Sequence, residues 1–486
     1  MGNLKKEFIS GVFYTGLAKY IGIFVSIVVS AILARLISPA DFGVVAVATI
    51  FINFFSTLTT VGISPAIIQN KTITDRDLKE INCFTILIAF ALSILFLLSI
   101  PIITLFYGKS ELLRDVLILL SISVFFSVAA IVPNAILLKD KEFKFIAIRT
   151  FLLQLFFGVI SVIGALCGMG IYALLINPIG TSFALLIVNF RKRPIGLSKP
   201  QKESLNKILS FSVYQMVFNL IYLFYRNIDK LAIGKYFGMS NLGYYEKSYR
   251  LMLLPLDNVS SVISPVLHPI LSEYQSDKEY MWSVYKKMIS FLSEFSFLIS
   301  AVLYFLAEPI ILILYGKNWE PAIPIFRVLA LSICFQLIQA PIGAFFQSAN
   351  RVKDLMLSSL YLLLFMTLCI SISVFLHSFT IFSPLVVVAF FLGLLVYEYF
   401  ICKAYNKKLS EILVVLLPHA LYAILLFIVL YFVIKYFNIN EMIIKLIITL
   451  IVSIIFLFLL IVTNRVKHIK RFLLKFIHKF VLPSFD

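Results

Sequence analysis

Long apolar segments separated by short polar loops divide the whole chain. An α-helix needs about 20 predominantly apolar residues to cross the hydrocarbon core of a bilayer. By that measure the sequence predicts about fourteen membrane-spanning helices. They begin near Phe13, Gly43, Ile81, Asp115, Phe145, Ile171, Phe211, Leu251, Met288, Ile323, Leu355, Phe379, Ile412 and Met442. The longest loop, from about Arg191 to Lys207, is too short for a soluble domain. We therefore predict an all-α integral membrane protein.

Composition and charge support this class. Hydrophobic residues make up 61% of the chain and charged residues 14%, whereas a soluble domain has about 45–50% and about 25%. The net charge of +18 would suggest nucleic acid in a soluble protein. Here most Lys and Arg residues fall in alternate loops, which become the cytoplasmic set if the N-terminus is inside. The charge therefore predicts both termini in the cytoplasm, and no nucleic-acid partner.

Two pairs of similar segments indicate an internal duplication. Pro101–Lys109 returns as Pro309–Lys317 with six of nine positions identical, and Ala34–Gly43 aligns with Gly234–Gly243. Internal repeats fix the architecture. We predict a first lobe over residues 1–195 and a second over 205–403, each of six helices. Because six is even, the halves are parallel repeats related by an axis along the membrane normal, an arrangement typical of transporters.

The C-terminal region has no partner in the repeat. Two further helices are predicted over residues 411–463. In residues 464–486, apolar residues at helical spacing alternate with basic ones, which predicts an amphipathic helix on the cytoplasmic membrane surface. Its contacts would be with membrane lipids.

Familiar catalytic signatures are absent from the sequence. The five cysteines are scattered without metal-ligand spacing, and the sequence has neither a P-loop nor a nucleotide fingerprint. We therefore expect no metal, no cofactor and no enzymatic activity, and we exclude ATP hydrolysis within this chain as an energy source.

Ionisable side chains inside apolar segments mark the candidate substrate route, because such groups usually face the bundle interior or a water-filled cavity. The densest cluster is Arg226, Asp229 and Lys230, whose spacing places them on roughly one face of the seventh helix. Arg250 and Asp257 lie on the next helix, which is antiparallel to it. The excess of cations favours a hydrated pocket for an anionic headgroup, in which guanidinium groups clamp diphosphate oxygens.

The candidate headgroup-binding residues are Arg226, Lys230, Arg250, Lys19 and Arg149. The candidates for ion coupling or charge balance are Asp229, Asp257, Glu294 and Glu398. A structural alternative stays open, in which Asp229 pairs with Arg226 or Lys230 and the charges only lock helices seven and eight together. Lys19 and Arg149 are also close enough to the predicted cytoplasmic surface for their charges to reach it.

Several stretches resemble a known family. They are Arg35–Gly43 (RLISPADFG), Val61–Gln69 (VGISPAIIQ), Gly168–Leu174 (GMGIYAL), Arg226–Gly234 (RNIDKLAIG) and Leu242–Leu251 (LGYYEKSYRL). In these stretches the chain is similar to Wzx-like polysaccharide flippases of the multidrug/oligosaccharidyl-lipid/polysaccharide superfamily. The resemblance covers nearly the whole chain.

This resemblance implies a V-shaped bundle of two six-helix lobes that opens alternately inward and outward. Its implied substrate is an undecaprenyl-diphosphate-linked oligosaccharide repeat unit, moved from the cytoplasmic to the periplasmic leaflet of a bacterial inner membrane. It implies a basic cavity for the headgroup and a groove at the two extra helices for the polyprenyl tail. We further expect a monomer that works beside a polysaccharide polymerase and a chain-length regulator, driven by an ion gradient, by substrate supply or by both.

Two other functions compete with this interpretation. A drug or cation antiporter of the same fold would favour an acidic, apolar cavity over a cationic one. A membrane polysaccharide polymerase or glycosyltransferase would need a large extramembrane loop or catalytic carboxylates, and the short loops argue against it.

Overall fold

A computed structural model describes residues 2–70, 72–209, 220–274, 277–349, 351–437 and 441–462. Over these ranges the chain is helical, with no β-strand, which confirms the predicted all-α class. The chain forms two compact units, Met1–Glu246 and Lys247–Asp486. The lobe boundaries at 195 and 205 concern the internal repeat and stay predictions. The predicted surface helix over residues 464–486 and the start of the seventh span near Phe211 lie outside the described residues.

The first unit contains nine helices over the ranges given above, together with a helical stretch at residues 220–225 and the start of a tenth. They are α1 (Gly2–Leu36), α2 (Pro39–Gln69), α3 (Asp75–Phe106), α4 (Glu111–Ala129), α5 (Ile131–Lys139), α6 (Phe143–Leu166), α7 (Tyr172–Lys192), α8 (Lys202–Leu209), α9 (Ile228–Tyr236) and α10 (Met239–Glu273).

Local sequence explains where these helices begin. Ser38 precedes Pro39, and its hydroxyl accepts a hydrogen bond from the backbone N–H of Asp41, so the residue type, the proline and the acidic first turn all favour a helix start. Thr74 and Asp77 form a reciprocal capping box at the start of α3. The sequences Ser38-Pro-Ala-Asp41 and Thr74-Asp-Arg-Asp77 therefore determine where α2 and α3 begin.

The duplicated segment around Gly43 forms a reciprocal backbone contact. A Cβ atom built at Gly43 would overlap the carbonyl of Met239, and one built at Gly243 would overlap the carbonyl of Pro39. Each glycine therefore meets the residue four positions before the other. The first turns of α2 and α10 cross so closely that only a residue without a side chain fits.

The second unit continues from α10 and contains eight further helices in the part of the chain described here, with a short 3₁₀ turn at Lys317–Trp319. They are α11 (Lys278–Tyr315), α12 (Ala322–Leu331), α13 (Ile333–Gln339), α14 (Ile342–Ser348), α15 (Val352–Phe375), α16 (Phe382–Tyr405), α17 (Leu409–Tyr436) and α18 (Met442–Val462).

Eleven helices of the described chain are long and apolar enough to cross a membrane, or twelve if the bent pair Ala322–Leu331 and Ile333–Ser348 is one crossing. The pair is bent by 44°. A multi-pass membrane protein is thus confirmed, and the count of fourteen stays a prediction.

The two extra C-terminal helices pack on α11. Ala301 and Phe305 of α11 form a buried cluster with Leu426 and Leu430 of α17. An ion pair of 2.6 Å between Lys445 on α18 and Glu308 on α11 joins the other extra helix to the same element. A groove for a polyprenyl tail at these helices stays a prediction.

The two copies of the Tyr-Gly-Lys loop use their tyrosines differently. In the first unit, the hydroxyl of Tyr107 donates a hydrogen bond of 3.1 Å to the carbonyl of Leu231. In the second unit, the ammonium group of Lys247 lies 5.3 Å from the ring centre of Tyr315 and 6.0 Å from that of Trp319. Both loops therefore close onto another helix of their own unit, through different atoms.

Candidate functional site

A polar cavity of about 540 Å³ lies inside the first unit, among α2, α4, α5, α6 and α7. Among the described residues, its lining consists largely of hydroxyl and amide side chains with a single cation. The polar lining residues are Thr49, Asn53, Ser56, Ser64, Ser123, Ser127, Asn134, Arg149, Thr150, Thr181, Ser182 and Asn189. A cavity of this size and polarity in a membrane helix bundle indicates a place for a hydrated or hydrogen-bonding ligand.

Arg149 is the charged centre of the cavity. It is 6% exposed, and its guanidinium donates hydrogen bonds to the side-chain oxygens of Asn189 and, at 3.2 Å, Asn134. These contacts come from α7 and α5, so three helices position one cation. The two amides hold the guanidinium in place without neutralising it.

Two donors at this centre have no protein acceptor. The Nε–H of Arg149 and the side-chain NH₂ of Asn189, which is 1% exposed, are both buried without a hydrogen-bond partner. Buried polar groups are normally satisfied. No Asp or Glu is among the described residues that line the cavity. A buried, uncompensated cation beside unused donors has the chemistry to bind an anion, above all one with several oxygen acceptors.

Hydroxyl groups extend the polar surface away from Arg149. Ser123 on α4 and Ser182 on α7 lie 3.1 Å apart, and the Ser182 hydroxyl donates to the carbonyl of Pro178 at 2.8 Å. Thr181 donates to the carbonyl of Asn177. Each hydroxyl keeps acceptor capacity while it donates, so this wall can accept hydrogen bonds from a ligand rich in hydroxyl groups.

The expectation that the Arg149 charge reaches the membrane surface is wrong. The side chain is held inside the unit because Asn134 and Asn189 accept hydrogen bonds from its two terminal nitrogens there. The sequence analysis also missed both asparagines and the hydroxyl residues of the wall. Their only signal was the presence of Asn, Ser and Thr within predicted spans, and such residues are common in membrane helices for packing reasons.

The Arg226–Lys230 cluster differs from its predicted geometry. The helix is interrupted by a turn at Arg226 and Asn227, and α9 begins at Ile228, so the cluster does not form one continuous helical face. Asp229 is 1% exposed and accepts hydrogen bonds from the hydroxyl of Tyr245 at 2.6 Å and the backbone N–H of Lys230 at 2.8 Å.

The predicted pairing of Asp229 with Arg226 or Lys230 is also not what the structure shows. The ion-pair partner of Lys230 is Glu246 on α10, at 2.7 Å, with both side chains largely buried. Asp229 forms no ion pair within the part of the chain that is described. A tyrosine hydroxyl and a backbone amide hold Asp229, so both carboxylates link α9 to α10. This arrangement favours a locking role for Lys230.

We predict that Glu246→Gln destabilises the protein by removing the carboxylate that pairs with the buried Lys230 ammonium. Removing one partner of a buried pair costs about 3–5 kcal/mol. The double variant Lys230→Gln with Glu246→Gln is expected to regain most of the lost melting temperature in detergent. Glu320→Gln, in an exposed turn, serves as the control. A double variant no more stable than Glu246→Gln would contradict the locking role.

The other predicted residues are distributed over both units. Lys19 on α1 is half-buried, while Arg250 and Asp257 on α10 are exposed. Glu294 and Glu398 are buried in the second unit, at 3% and 1% exposure. Of the five predicted headgroup ligands, Arg149 is the one that lines the polar cavity. A shared headgroup pocket for all five stays a prediction.

Comparison with known proteins identifies the family. A family model described as polysaccharide biosynthesis protein matches residues 32–324, more than half of the chain. The chain belongs to this family. The resemblance found from the sequence motifs is therefore confirmed.

The chain also matches named proteins of Rhizobium meliloti and Escherichia coli. It is 27% identical over 318 residues to the succinoglycan biosynthesis transport protein ExoT of Rhizobium meliloti (strain 1021), covering 62% of this chain and 61% of ExoT. It is 23% identical over 367 residues to the lipopolysaccharide biosynthesis protein WzxC of Escherichia coli (strain K12), covering 72% of each chain.

A solved structure supports the fold. The chain is similar to the lipid II flippase MurJ in an inward closed conformation, with a TM-score of 0.73, 17% identity and coverage of 92% of this chain and 98% of MurJ. At that identity the likeness establishes the fold alone. The chain therefore shares the helical fold of that structure over most of its length.

Proposed function

We propose that this protein is a flippase for undecaprenyl-diphosphate-linked oligosaccharide repeat units. It moves them from the cytoplasmic to the periplasmic leaflet of the bacterial inner membrane by alternating access, for the synthesis of a surface polysaccharide. The family membership, and relatives named for lipopolysaccharide biosynthesis and succinoglycan transport, support this proposal. In this proposal the protein has no catalytic role, both termini are cytoplasmic, and a polymerase and a chain-length regulator act on the delivered units.

The uncompensated guanidinium of Arg149 is the structural observation behind the proposal. Flipping requires a polar sugar and a charged diphosphate to pass a region of hydrocarbon, where an unpaired charge is very costly. Arg149 offers a buried cation with unused donors, and the hydroxyl and amide wall offers partners for sugar hydroxyls. The polyprenyl chain needs no such partners, because it remains in lipid.

The same cavity argues against the antiporter alternative. A site for a cationic drug needs negative charge, and the described lining has one arginine and no carboxylate. Cation binding beside Arg149 would be opposed by like-charge repulsion.

The proposed function can be tested with purified protein in vesicles. The probe is an undecaprenyl-diphosphate oligosaccharide labelled with a fluorophore that dithionite quenches only in the outer leaflet. We expect the quenched fraction to rise from about half, the share of lipid in one leaflet, toward all of the label when the protein is present. Vesicles without protein and a labelled phosphatidylcholine serve as controls. No protein-dependent quenching of the oligosaccharide lipid would overturn the proposal, and efflux of ethidium instead would favour the antiporter.

A further inference from the structure

A second polar centre lies in the core of the second unit, around Glu398. This carboxyl group lies within the membrane-spanning helix α16 and is 1% exposed. Its Oε2 accepts a hydrogen bond of 2.8 Å from the hydroxyl of Tyr285 on α11, which is fully buried. Its other oxygen, Oε1, is buried and has no hydrogen-bond partner.

Glu398 has no cationic partner in the described part of the chain. Lys286, which follows Tyr285 in the chain, pairs with Glu411 at 3.2 Å, and Glu411 also accepts from the indole N–H of Trp282 at 2.9 Å. On its own helix, the neighbouring groups Tyr397, Tyr399, Cys402 and Tyr405 are uncharged in their ordinary forms, and the neighbouring cation, Lys403, is exposed.

An ionised carboxylate in this position would be a buried, unpaired charge. Such a group takes up a proton instead, because transfer of an isolated charge from water into an apolar core is prohibitively costly. The surroundings are dry and aromatic, since Trp282 stacks on Tyr285 at 5.7 Å and Phe345 packs edge-on against Tyr285 at 4.9 Å. The hydroxyl of Tyr405 is a second buried polar atom without a partner in this region.

The geometry suits a proton better than a metal ion. Sodium, calcium and magnesium need several oxygen ligands around one point, and no group of three acidic, histidine or cysteine side chains converges in the described residues. Glu398 accepts a hydrogen bond from Tyr285 on Oε2, and its Oε1 has no hydrogen-bond partner. The carboxyl group can therefore bind one proton on Oε1. Water must reach the carboxyl before it can lose that hydrogen, and this requires α11 and α16 to part around it.

We infer that Glu398 is the proton-binding group that couples transport by this protein to a proton gradient. In the step itself, the Glu398 carboxylate and one proton combine to a neutral carboxylic acid on the acidic side, and the acid releases that proton on the other side. No other bond forms or breaks. Tyr285 orients the carboxyl and does not itself exchange the proton. The inference rests on the proposed flippase function and adds the source of its driving force.

The test uses the labelled oligosaccharide lipid in vesicles that contain the full-length protein and a gradient of one pH unit. Valinomycin with equal potassium on both sides holds the membrane potential at zero, because the exchange moves net charge. If one proton moves opposite to each lipid, the lipid accumulates about tenfold in the acid-facing leaflet, because one pH unit is a tenfold ratio of proton activity. The final ratio of lipid between the two leaflets does not depend on which way the protein is inserted in the vesicle. Glu398→Gln, an isosteric mimic of the protonated acid, is expected to leave the lipid evenly distributed while it still exchanges between leaflets.

Matched variants separate coupling from a structural role. Glu308→Gln on α11 removes a carboxylate that pairs with Lys445 and should keep the tenfold accumulation. Tyr285→Phe should also keep it, because the titratable group remains. Glu398→Asp, which retains a carboxyl, preserves a test if Glu398→Gln does not fold.

Three outcomes would overturn the inference. They are accumulation by Glu398→Gln equal to that of the wild type, flipping by the wild type without any response to the pH gradient, and accumulation that follows a sodium gradient. If the wild-type protein moves no lipid under any condition, the proposed function itself fails. The two failures are therefore distinguishable.

Discussion

Asn189→Asp is expected to slow transport strongly while leaving the protein at least as stable as the wild type. The change replaces one amide by a carboxylate of the same shape, directly against the Arg149 guanidinium. The buried cation then has a permanent partner and is no longer available to an anionic headgroup. Charge-assisted hydrogen bonds are worth about 1.5–3 kcal/mol, so we expect the flipping rate in vesicles to fall by about 10- to 100-fold.

The matched control is Asn70→Asp, which adds the same charge in a loop of the same unit, where the Asn70 side-chain oxygen accepts from the backbone N–H of Thr72. An aspartate there can still accept that bond, so transport should be unchanged. The outcome for Asn189→Asp separates two roles of Arg149. If the cation only fastens α5, α6 and α7 together, the new ion pair raises the melting temperature and transport continues, which would remove Arg149 from the substrate site.

Gly43→Ala and Gly243→Ala are each expected to reduce the amount of folded protein in the membrane severely. In both cases the new methyl group would overlap a backbone carbonyl, of Met239 or Pro39, which cannot rotate away as a side chain could. Overpacking typically costs about 1–3 kcal/mol and occasionally more, and a clash with backbone belongs at the upper end. Fluorescence-detected size exclusion of tagged protein measures the loss.

Gly343→Ala is the control for this pair, because a Cβ at Gly343 meets nothing within 4 Å. It should be folded and abundant. Normal amounts of either Gly43→Ala or Gly243→Ala would show that the two helix starts can separate by the width of a methyl group, and the close crossing would then not be required for the fold.

The parts of the fold that depend on local sequence were predictable. Apolar run length predicts the eleven helices of the described chain that are long and apolar enough to cross a membrane, and the internal repeat aligns Gly43 with Gly243, which meet in the fold. That alignment has a physical basis, since a reciprocal contact imposes the same steric limit on both copies. Ser38 and Thr74 mark helix starts by hydrogen bonds within four residues, the range over which sequence patterns are informative.

The candidate site was predictable only in part. Lys and Arg inside apolar segments identified Arg149, but its partners Asn134 and Asn189 lie 15 and 40 residues away, and only packing brings them together. Helical periodicity also assumed an unbroken helix through Arg226, where the chain turns. Spacing rules hold inside one helix, so the Lys230–Glu246 pair, which crosses from one helix to the next, could not be found by them.

The two Tyr-Gly-Lys loops use the same residue type, tyrosine, in chemically different ways. One tyrosine is held through its oxygen, as a donor to Leu231, and the other through the electron-rich face of its ring, which Lys247 approaches. The same residue type therefore serves two unrelated purposes: the first loop uses the tyrosine hydroxyl, and the second uses the π-system of the ring. Sequence identity between the two loops therefore does not make their residues interchangeable.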